Sequence, residues 1–265
     1  MIALSSPTAC LQAFIDGSTA WLVLNRPERR NALNADMWAA IPVLMNSLDG
    51  QADVRAIVIR GAGGEAFAAG ADISEFGEAR NDAAAARAYE ALNGAAFAAI
   101  RNAGRPTIAM IEGFCIGGGL ALALACDIRI AAPDAVFALP PARLGLAYPL
   151  AGLRDLVATV GLARAREMLF TAARLDGAEA FRIGLVNRLS ADVAGATASL
   201  CAEIAAGAPL TILHARRALG LIAGLPGHAG EEEIERLARA CFDSADYAEG
   251  RAAFAEKRKP RFTGK

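Results

Sequence analysis

Several features that identify particular classes of protein are missing from this sequence. Its five cysteines are odd in number, and no two lie at CxxC spacing, which argues against both a disulfide framework and a zinc site. The 27 basic and 28 acidic residues nearly cancel, so the charge gives no indication of nucleic acid or an anionic membrane as a partner. The longest apolar stretch, residues 114–126, is too short to span a bilayer, and no basic segment opens the chain as in a signal peptide. We therefore expect a cytoplasmic protein with reduced thiols.

Common catalytic motifs are also absent. The chain contains no GK[ST] sequence for a phosphate-binding loop and no GxSxG sequence for a serine hydrolase, so neither class is predicted. Its two histidines, His214 and His228, are not directly flanked by acidic residues. We therefore predict neither a metal site nor a catalytic triad.

What the sequence does contain is an alternation of short apolar strands and helices. Strands are predicted at residues 20–24, 56–60, 107–111 and 128–131, and helices at 34–48, 80–101 and 120–126. Asn34 is a suitable N-cap for the first helix, and Pro42 should kink or shorten it. From residue 156 only helices are predicted, at 162–170, 177–183, 194–206, 209–222, 230–242 and 245–258. The pattern favours an α/β core over residues 1–200 and a C-terminal helical region over 201–265.

Two loops that contain glycine follow predicted strands. Residues 66–73 read Ala-Phe-Ala-Ala-Gly-Ala-Asp-Ile, and residues 112–120 include a run of three glycines that opens a helix. Glycines at this point let a ligand approach backbone N–H groups, where the helix N-terminus adds partial positive charge. Two such donors that converge on one oxygen would form an oxyanion hole. On the glycines alone, tight turns or close packing of helix on strand explain the pattern as well.

These loops belong to a longer series of motifs. The series consists of NRP at 25–27, NALN at 31–34, FAAGAD at 67–72, GGG at 117–119 leading to CD at 126–127, GLVN at 184–187 and FAEKR at 254–258. In order and spacing it resembles the signature of the crotonase (enoyl-CoA hydratase/isomerase) superfamily over nearly the whole chain. The resemblance implies an α/β fold built as a spiral of ββα units. It also implies a C-terminal helical region through which chains assemble as homotrimers or hexamers.

The resemblance further implies roles for individual residues. In such enzymes two backbone N–H groups hold the carbonyl oxygen of an acyl-CoA thioester, and here these are the amides of Ala71 and Gly118. The residues implied to bind coenzyme A are Arg26, Arg29, Ala69, Asp72, Ile73, Phe254 and Lys257. The last two match positions that can reach coenzyme A, also from an adjacent subunit. Coenzyme A enters as part of the substrate, and no metal or separate cofactor is implied. Each charged residue, taken singly, is equally compatible with a solvated surface position.

Three positions bear on the reaction. Hydratases of the family place two glutamates across the substrate double bond, whereas the matching residues here are Ala121 and Pro141, which cannot transfer a proton. Residues 144–148 resemble the loop of methylmalonyl-CoA decarboxylase-like members, in which a tyrosine, here Tyr148, faces the acyl carbon. A phenol with a pKa near 10 would act as an acid at neutral pH. A packed core tyrosine would also fit this position.

Two classes of function remain open from the sequence. The first is an enzyme that acts on acyl-CoA thioesters through an enolate held in an oxyanion hole, as a decarboxylase, an isomerase or a slow hydratase. The second is a catalytically silent acyl-CoA-binding or scaffold subunit that has kept the fold and the pocket. Turnover of a thioester would separate the two.

Overall fold

Ten strands and ten α-helices lie in the part of the chain that a computed structural model describes, residues 1–75, 83–227 and 230–265. The strands are β1 (Ile2–Leu4), β2 (Leu11–Asp16), β3 (Thr19–Leu24), β4 (Ala56–Gly61), β5 (Ala66–Ala68), β6 (Thr107–Ile111), β7 (Phe114–Ile116), β8 (Ile128–Ala131), β9 (Val136–Ala138) and β10 (Arg188–Leu189). The helices are α1 (Ala35–Asp49), α2 (Ala83–Arg101), α3 (Gly118–Ala125), α4 (Pro141–Leu144), α5 (Leu150–Thr171), α6 (Gly177–Arg182), α7 (Val193–Ala205), α8 (Pro209–Ile222), α9 (Glu231–Phe242) and α10 (Ala245–Ala255).

The strands form two sheets, and consecutive strands along the chain alternate between them from β4 to β9. Among the described residues, the larger sheet has the order β1-β2-β3-β4-β6-β8-β10 and the smaller sheet has the order β5-β7-β9. The strands β1 to β3 pair antiparallel, and the pairs from β3 onward are parallel. Three consecutive strand pairs therefore add one strand to each sheet: β4 and β5, β6 and β7, and β8 and β9. The first strand of each pair joins the larger sheet and the second joins the smaller sheet. This arrangement is the α/β fold of ββα units that the motifs implied.

All four predicted strands are present, because parallel strands covered on both faces read as continuous apolar runs. The clearest case is β6, which is buried at every residue. The other six strands were not predicted, and three of these, β5, β7 and β9, form the smaller sheet. In β2 buried and exposed positions alternate, as in a strand with one face toward solvent, and the strands β1 and β10 are only 3 and 2 residues long, too short for a periodic pattern.

Helix α1 confirms its predicted cap, and its proline does not shorten it. The Asn34 side chain accepts a hydrogen bond from Met37 N at 2.9 Å. Pro42 lies inside the helix, yet the helix continues to Asp49, so the expected shortening was wrong. The helix buries a face of large apolar residues on both sides of the proline, and packing of this kind outweighs the loss of one backbone hydrogen bond.

The later helices follow the predicted positions with shifted ends. Helix α5 begins well before the predicted residue 162, and its continuity is broken at Gly161, which has a φ of 75°. Helix α6 has its predicted cap, since Asp176 Oδ1 accepts from Glu179 N at 2.8 Å, and Gly184 with a φ of 77° follows its end. Helix α3 begins at Gly118 rather than residue 120. The first residues of the predicted helix 80–101 lie outside the described residues.

Polar residues from three of the motifs hold separate parts of the fold together. Asn31 is fully buried and donates to the carbonyl oxygens of Ala62 and Ala66 at 3.0 and 2.7 Å. Asp127 accepts from Thr107 N at 2.7 Å, which joins the start of β8 to β6. Asn187 Oδ1 accepts from the backbone N of Arg129 at 2.9 Å. These motif residues therefore position loops.

Helices cover both faces of the larger sheet. On one face α1, α2 and α3 share the main core with the strands. On the other face α7 packs against β4, β6 and β8. The predicted division at residue 200 falls inside α7, and it stays a prediction.

Two simple properties of the chain can be read from the described residues. All five cysteines are free thiols, and Cys115, Cys126 and Cys201 are buried. No single described helix is long and apolar enough to cross a membrane, and the consecutive pair α7 and α8, which has the necessary length together, is bent by 107°.

Candidate active site

The loop after β5 lies against the residues that precede α1. Leu33 N donates to Gly70 O at 2.8 Å, and Leu33 O accepts from Asp72 N at 2.8 Å. These two bonds make an isolated parallel bridge between Leu33 and Ala71. Consecutive residues of extended chain direct their N–H groups to opposite sides, so the Ala71 amide points away from Leu33. None of the described residues accepts its hydrogen.

A second free amide, that of Gly118, lies next to the first. A Cβ atom built on Gly118 would lie 3.5 Å from Ala71 N, and one built on Gly70 would lie 3.9 Å from Gly118 N. Gly118 is the first residue of α3, where N–H groups have no acceptor within the helix. Within the described part of the chain nothing else accepts it. Two unpaired donors thus lie close together at a helix N-terminus.

The glycine run is required by backbone geometry on both sides of Gly118. Gly117 has φ 53° and ψ −115°, a conformation that side chains with a Cβ atom rarely adopt. A Cβ atom on Gly119 would collide with the carbonyl oxygen of Ala68. Glycine at these two positions lets α3 start directly against β5.

Trp38 packs against the free amides from the side of α1. A Cβ atom on Gly118 would lie 3.1 Å from Trp38 Cζ2. The indole Nε1 donates to the Tyr89 hydroxyl at 3.0 Å, and that hydroxyl donates to Leu33 O at 3.3 Å. The hydrogen bonds connect Trp38 to the strand segment that holds Ala71, so the two sides of the site are fixed together.

A cavity of about 150 Å³ opens beside the two amides. Ala69, Ala71 and Gly118 contribute to one wall. Most of the remaining wall is apolar, with side chains from α1, α2, β7 and the segment before α5, including Trp38, Phe97, Ile116, Leu144, Leu146 and Pro149. An apolar cavity with a few polar groups suits a small acyl chain.

The two positions that would hold glutamates in a hydratase are on this wall. Ala121 lies in α3, one turn beyond Gly118, and Pro141 is the first residue of α4. Both side chains line the cavity. Neither can accept or donate a proton, so these two positions provide no acid or base.

Tyr148 also lines the cavity, and its ring lies close to Gly152, one helical turn further along. Its hydroxyl oxygen is buried and has no hydrogen-bond partner among the described residues. Burial raises the pKa of the phenol, and the nearby charge of Asp155 raises it further. The hydroxyl therefore stays protonated at neutral pH and can donate a hydrogen bond or a proton.

A buried ion pair lies behind Tyr148. Asp155 and Arg101 are 3% and 5% exposed, and Arg101 Nε donates to Asp155 Oδ2 at 3.2 Å. Burial raises the pKa of Asp155 to about 6, although the Arg101 guanidinium opposes the rise. The other carboxylate oxygen lacks a hydrogen bond of good geometry. The Asp155 charge of this pair acts on the Tyr148 phenol.

Two of the residues implied to bind coenzyme A bind each other. Arg26 Nη1 donates to Asp72 Oδ2 at 3.0 Å and to Ala32 O at 2.8 Å. The Ser74 hydroxyl donates to Asp72 Oδ1 at 2.7 Å, and this bond, with the Arg26 pair, lowers the pKa of Asp72. The ion pair fixes the loop that carries Ala71, and it leaves neither charge free of a partner.

The remaining implied residues are spread over the chain. Arg29 is exposed in a 3-10 turn, and Ile73 begins another such turn, though its side chain lies outside the described part. Phe254 is 88% exposed on α10, and Lys257 is exposed just after it. Neither of these last two lines the acyl cavity of its own chain.

Sequence reasoning missed several residues of the cavity wall, among them Trp38, Glu90 and Asn93. Glu90 and Asn93 are three residues apart on α2, so they share a face of the helix. Their spacing was visible in the sequence, but nothing there indicated which face of the helix meets the glycine loops. Among the described residues no group of three histidine, cysteine or acidic side chains is placed to hold a metal ion.

Comparison with known proteins identifies the family of the chain. The model of the family described as Enoyl-CoA hydratase/isomerase matches residues 15–265. The chain belongs to this family, within the crotonase superfamily. It is 32% identical to the short-chain-enoyl-CoA hydratase of Clostridium acetobutylicum, over 92% of this chain and 94% of that protein. It is 34% identical to the crotonyl-CoA hydratase of Syntrophomonas wolfei, over 93% and 95%.

Solved structures of the family have the same fold. A crystal structure of an enoyl-CoA hydratase/carnithine racemase from Magnetospirillum magneticum superimposes with a TM-score of 0.91 at 35% identity. The match covers 98% of this chain and 97% of that one. The α/β architecture and the C-terminal helices are therefore those of enoyl-CoA hydratase/isomerase enzymes.

Proposed function

We propose that this enzyme binds acyl-CoA thioesters and stabilises the enolate of the thioester with the amides of Ala71 and Gly118. The observation that carries the proposal is the pair of unpaired N–H groups beside an apolar cavity. When a thioester becomes an enolate, negative charge develops on its carbonyl oxygen, and donors already oriented toward that oxygen stabilise the charge. The partial positive charge at the start of α3 acts in the same direction.

The wall of the cavity restricts the reaction that follows. Hydration by paired glutamates is disfavoured, because Ala121 and Pro141 occupy the two positions. Decarboxylation forms the enolate without a base, and isomerisation needs proton transfer but no water. We propose decarboxylation, isomerisation or slow hydration as the reaction, with Tyr148 as the acid that protonates the enolate left by decarboxylation or as a group that binds a substrate carboxylate.

The experiment is a turnover assay on crotonyl-CoA, 3-butenoyl-CoA, malonyl-CoA and methylmalonyl-CoA, with binding of each measured by calorimetry. Turnover of one of them supports the enzyme, and its identity selects the reaction. Binding without turnover on all four would favour a silent acyl-CoA-binding subunit, a function that the apolar replacements at positions 121 and 141 also suit. Absence of binding would contradict both.

We expect the Tyr148→Phe variant to lower kcat by about 10²-fold, the lower end of the effect of a positioned acid. KM should change little, because the ring and its packing on Gly152 are kept. Tyr247, on α10 and outside the cavity, gives the matched control Tyr247→Phe. An unchanged kcat in Tyr148→Phe, together with higher stability from loss of an unpaired buried hydroxyl, would show a packing role only.

For coenzyme A we propose a path over Ala69 and Ile73 toward Arg29, along the loop that the Arg26–Asp72 ion pair holds. Phe254 and Lys257 would reach the nucleotide of a neighbouring chain, since they do not line the cavity of their own chain. The guanidinium of Arg29 is exposed and suits a phosphate group. The Arg29→Ala variant tests this path through the Kd for free coenzyme A.

We propose that α8, α9 and α10 assemble the chain into a homotrimer or hexamer. These helices expose large apolar side chains, namely Leu219, Ile222, Phe242 and Phe254, and patches of this kind mark association surfaces. Light scattering should give three or six times the chain mass of 27.4 kDa. A monomer at micromolar concentration would contradict the assembly.

A further inference from the structure

One carboxylate faces the acyl cavity, and neither the motifs nor the fold assigns it a role. Glu90 lies on α2 and lines the same cavity as Ala71 and Gly118. Among the described lining residues, Glu90 and Tyr148 are the ones with ionisable side chains. The Glu90 side chain is exposed, and within residues 1–75, 83–227 and 230–265 it forms no ion pair or hydrogen bond. It is therefore free to act on a bound substrate.

A second polar group lies beside Glu90 on the same face of α2. Asn93 is 9% exposed and lines the cavity, and its Oδ1 atom is buried without a hydrogen-bond partner in the part of the chain that the structure describes. A buried polar atom without a partner is costly, so it calls for an explanation such as a catalytic role or a bound water. Residues three apart on a helix have Cβ atoms roughly 5–6 Å from each other. The two side chains together make α2 the polar wall of an otherwise apolar cavity.

This polar wall contains a possible base for the α-proton, which the rest of the cavity does not provide. Formation of an enolate from a thioester requires a base for the α-proton unless carbon dioxide leaves. Ala121 and Pro141 cannot serve, and Tyr148 is protonated at neutral pH because burial raises its pKa. Glu90 lines the cavity and lacks a cationic partner among the described residues, and a carboxylate within reach of a substrate proton can act as a general base.

We propose that Glu90 is the catalytic base of this enzyme, acting from α2 instead of from α3 and α4. The inference rests on the proposed function, because the enolate it forms needs the amides of Ala71 and Gly118. A Glu90 oxygen takes the α-proton, the C–H electron pair enters the enolate, and the negative charge moves to the thioester oxygen. In a 3-enoyl thioester the same carboxyl group then returns the proton to the γ-carbon, as the double bond moves next to the carbonyl. One proton leaves and one returns, so no water or other reactant is consumed.

The test follows exchange of the α-protons of butyryl-CoA in D₂O by NMR, since this saturated thioester isolates the proton-removal step. We expect Glu90→Gln to lower the exchange rate by at least about 10²-fold, with the Kd for butyryl-CoA changed less than threefold. Glu90→Asp should retain part of the rate, and formate should restore exchange in Glu90→Ala. The matched control is Glu232→Gln, an exposed glutamate of α9 away from the cavity, which should exchange as the wild type does.

The outcomes separate this inference from the proposed function. Exchange that survives Glu90→Gln but is lost in Gly118→Pro would overturn the role of Glu90 and leave the oxyanion hole in place. Binding of butyryl-CoA without exchange by the wild type would also overturn the role of Glu90. Failure of the wild type to bind butyryl-CoA would overturn both. Gln and Glu have similar helix propensities, so a folded Glu90→Gln protein is expected, and its circular dichroism spectrum checks this.

Discussion

The Gly118→Pro variant should lose about 10³-fold in kcat on the thioester that the wild type turns over. Proline has no amide hydrogen, and its ring carbon takes the place that the hydrogen occupied. Loss of a single oxyanion donor typically costs about 10²–10³-fold, and the ring additionally blocks the approach of the oxygen. Proline is tolerated at the first position of a helix, which is where Gly118 lies. The change therefore removes a donor while α3 is kept.

A matched control distinguishes loss of the donor from crowding. Gly118→Ala adds the same Cβ atom, which meets Trp38 Cζ2 at 3.1 Å, but keeps the N–H group. We expect Gly118→Ala to retain much more of the wild-type kcat than Gly118→Pro does. Equal losses in the two variants would show that crowding against Trp38, and not the missing hydrogen, causes the effect.

The Arg129→Leu variant should lower the free energy of unfolding by about 3–5 kcal/mol, the range found when a buried charged network is broken. Arg129 is 6% exposed. Its Nε donates to Leu185 O at 2.8 Å, and its Nη1 donates to Ala123 O at 3.2 Å and to Cys126 O at 2.8 Å. These carbonyl groups lie at the end of α3 and in the loop before β10, so leucine would leave several buried acceptors without a donor.

Chemical denaturation of the wild type and two comparison variants measures this effect. Arg129→Lys keeps the charge but has no planar fork to reach three acceptors, so it should be intermediate. Arg154→Leu, at an exposed position of α5, should stay within about 0.5 kcal/mol. An unfolding free energy of Arg129→Leu within about 1 kcal/mol of the wild type would mean that water replaces the lost hydrogen bonds.

Arg129 also illustrates which parts of the fold the sequence could not reveal. It stands in β8 as one basic residue in an apolar strand, and its partners come from positions as distant as Leu185. The strands β4, β6 and β8 were predictable because burial on both faces makes each a continuous apolar run. The short edge strands and the early start of α5 were not, since pairing and packing partners far along the chain determine them.

In the candidate site, too, some residues could be predicted from the sequence and others could not. The glycine loops and the motifs around them indicated which amides to consider, because backbone approach at Ala71 and Gly118 requires a local sequence of small residues. The side chains on the opposite wall had no such local signal. Glu90 and Asn93 belong to an alanine-rich helix whose orientation depends on packing against α1 and α3, and only the three-dimensional arrangement places them at the cavity.

A crystal structure with a bound, slowly reacting acyl-CoA thioester tests the central claim most directly. We expect the thioester carbonyl oxygen to lie about 2.7–3.1 Å from both Ala71 N and Gly118 N, with the acyl chain in the cavity that Ala121 and Pro141 line. A carbonyl oxygen that contacts neither amide, in a fully occupied complex, would contradict it.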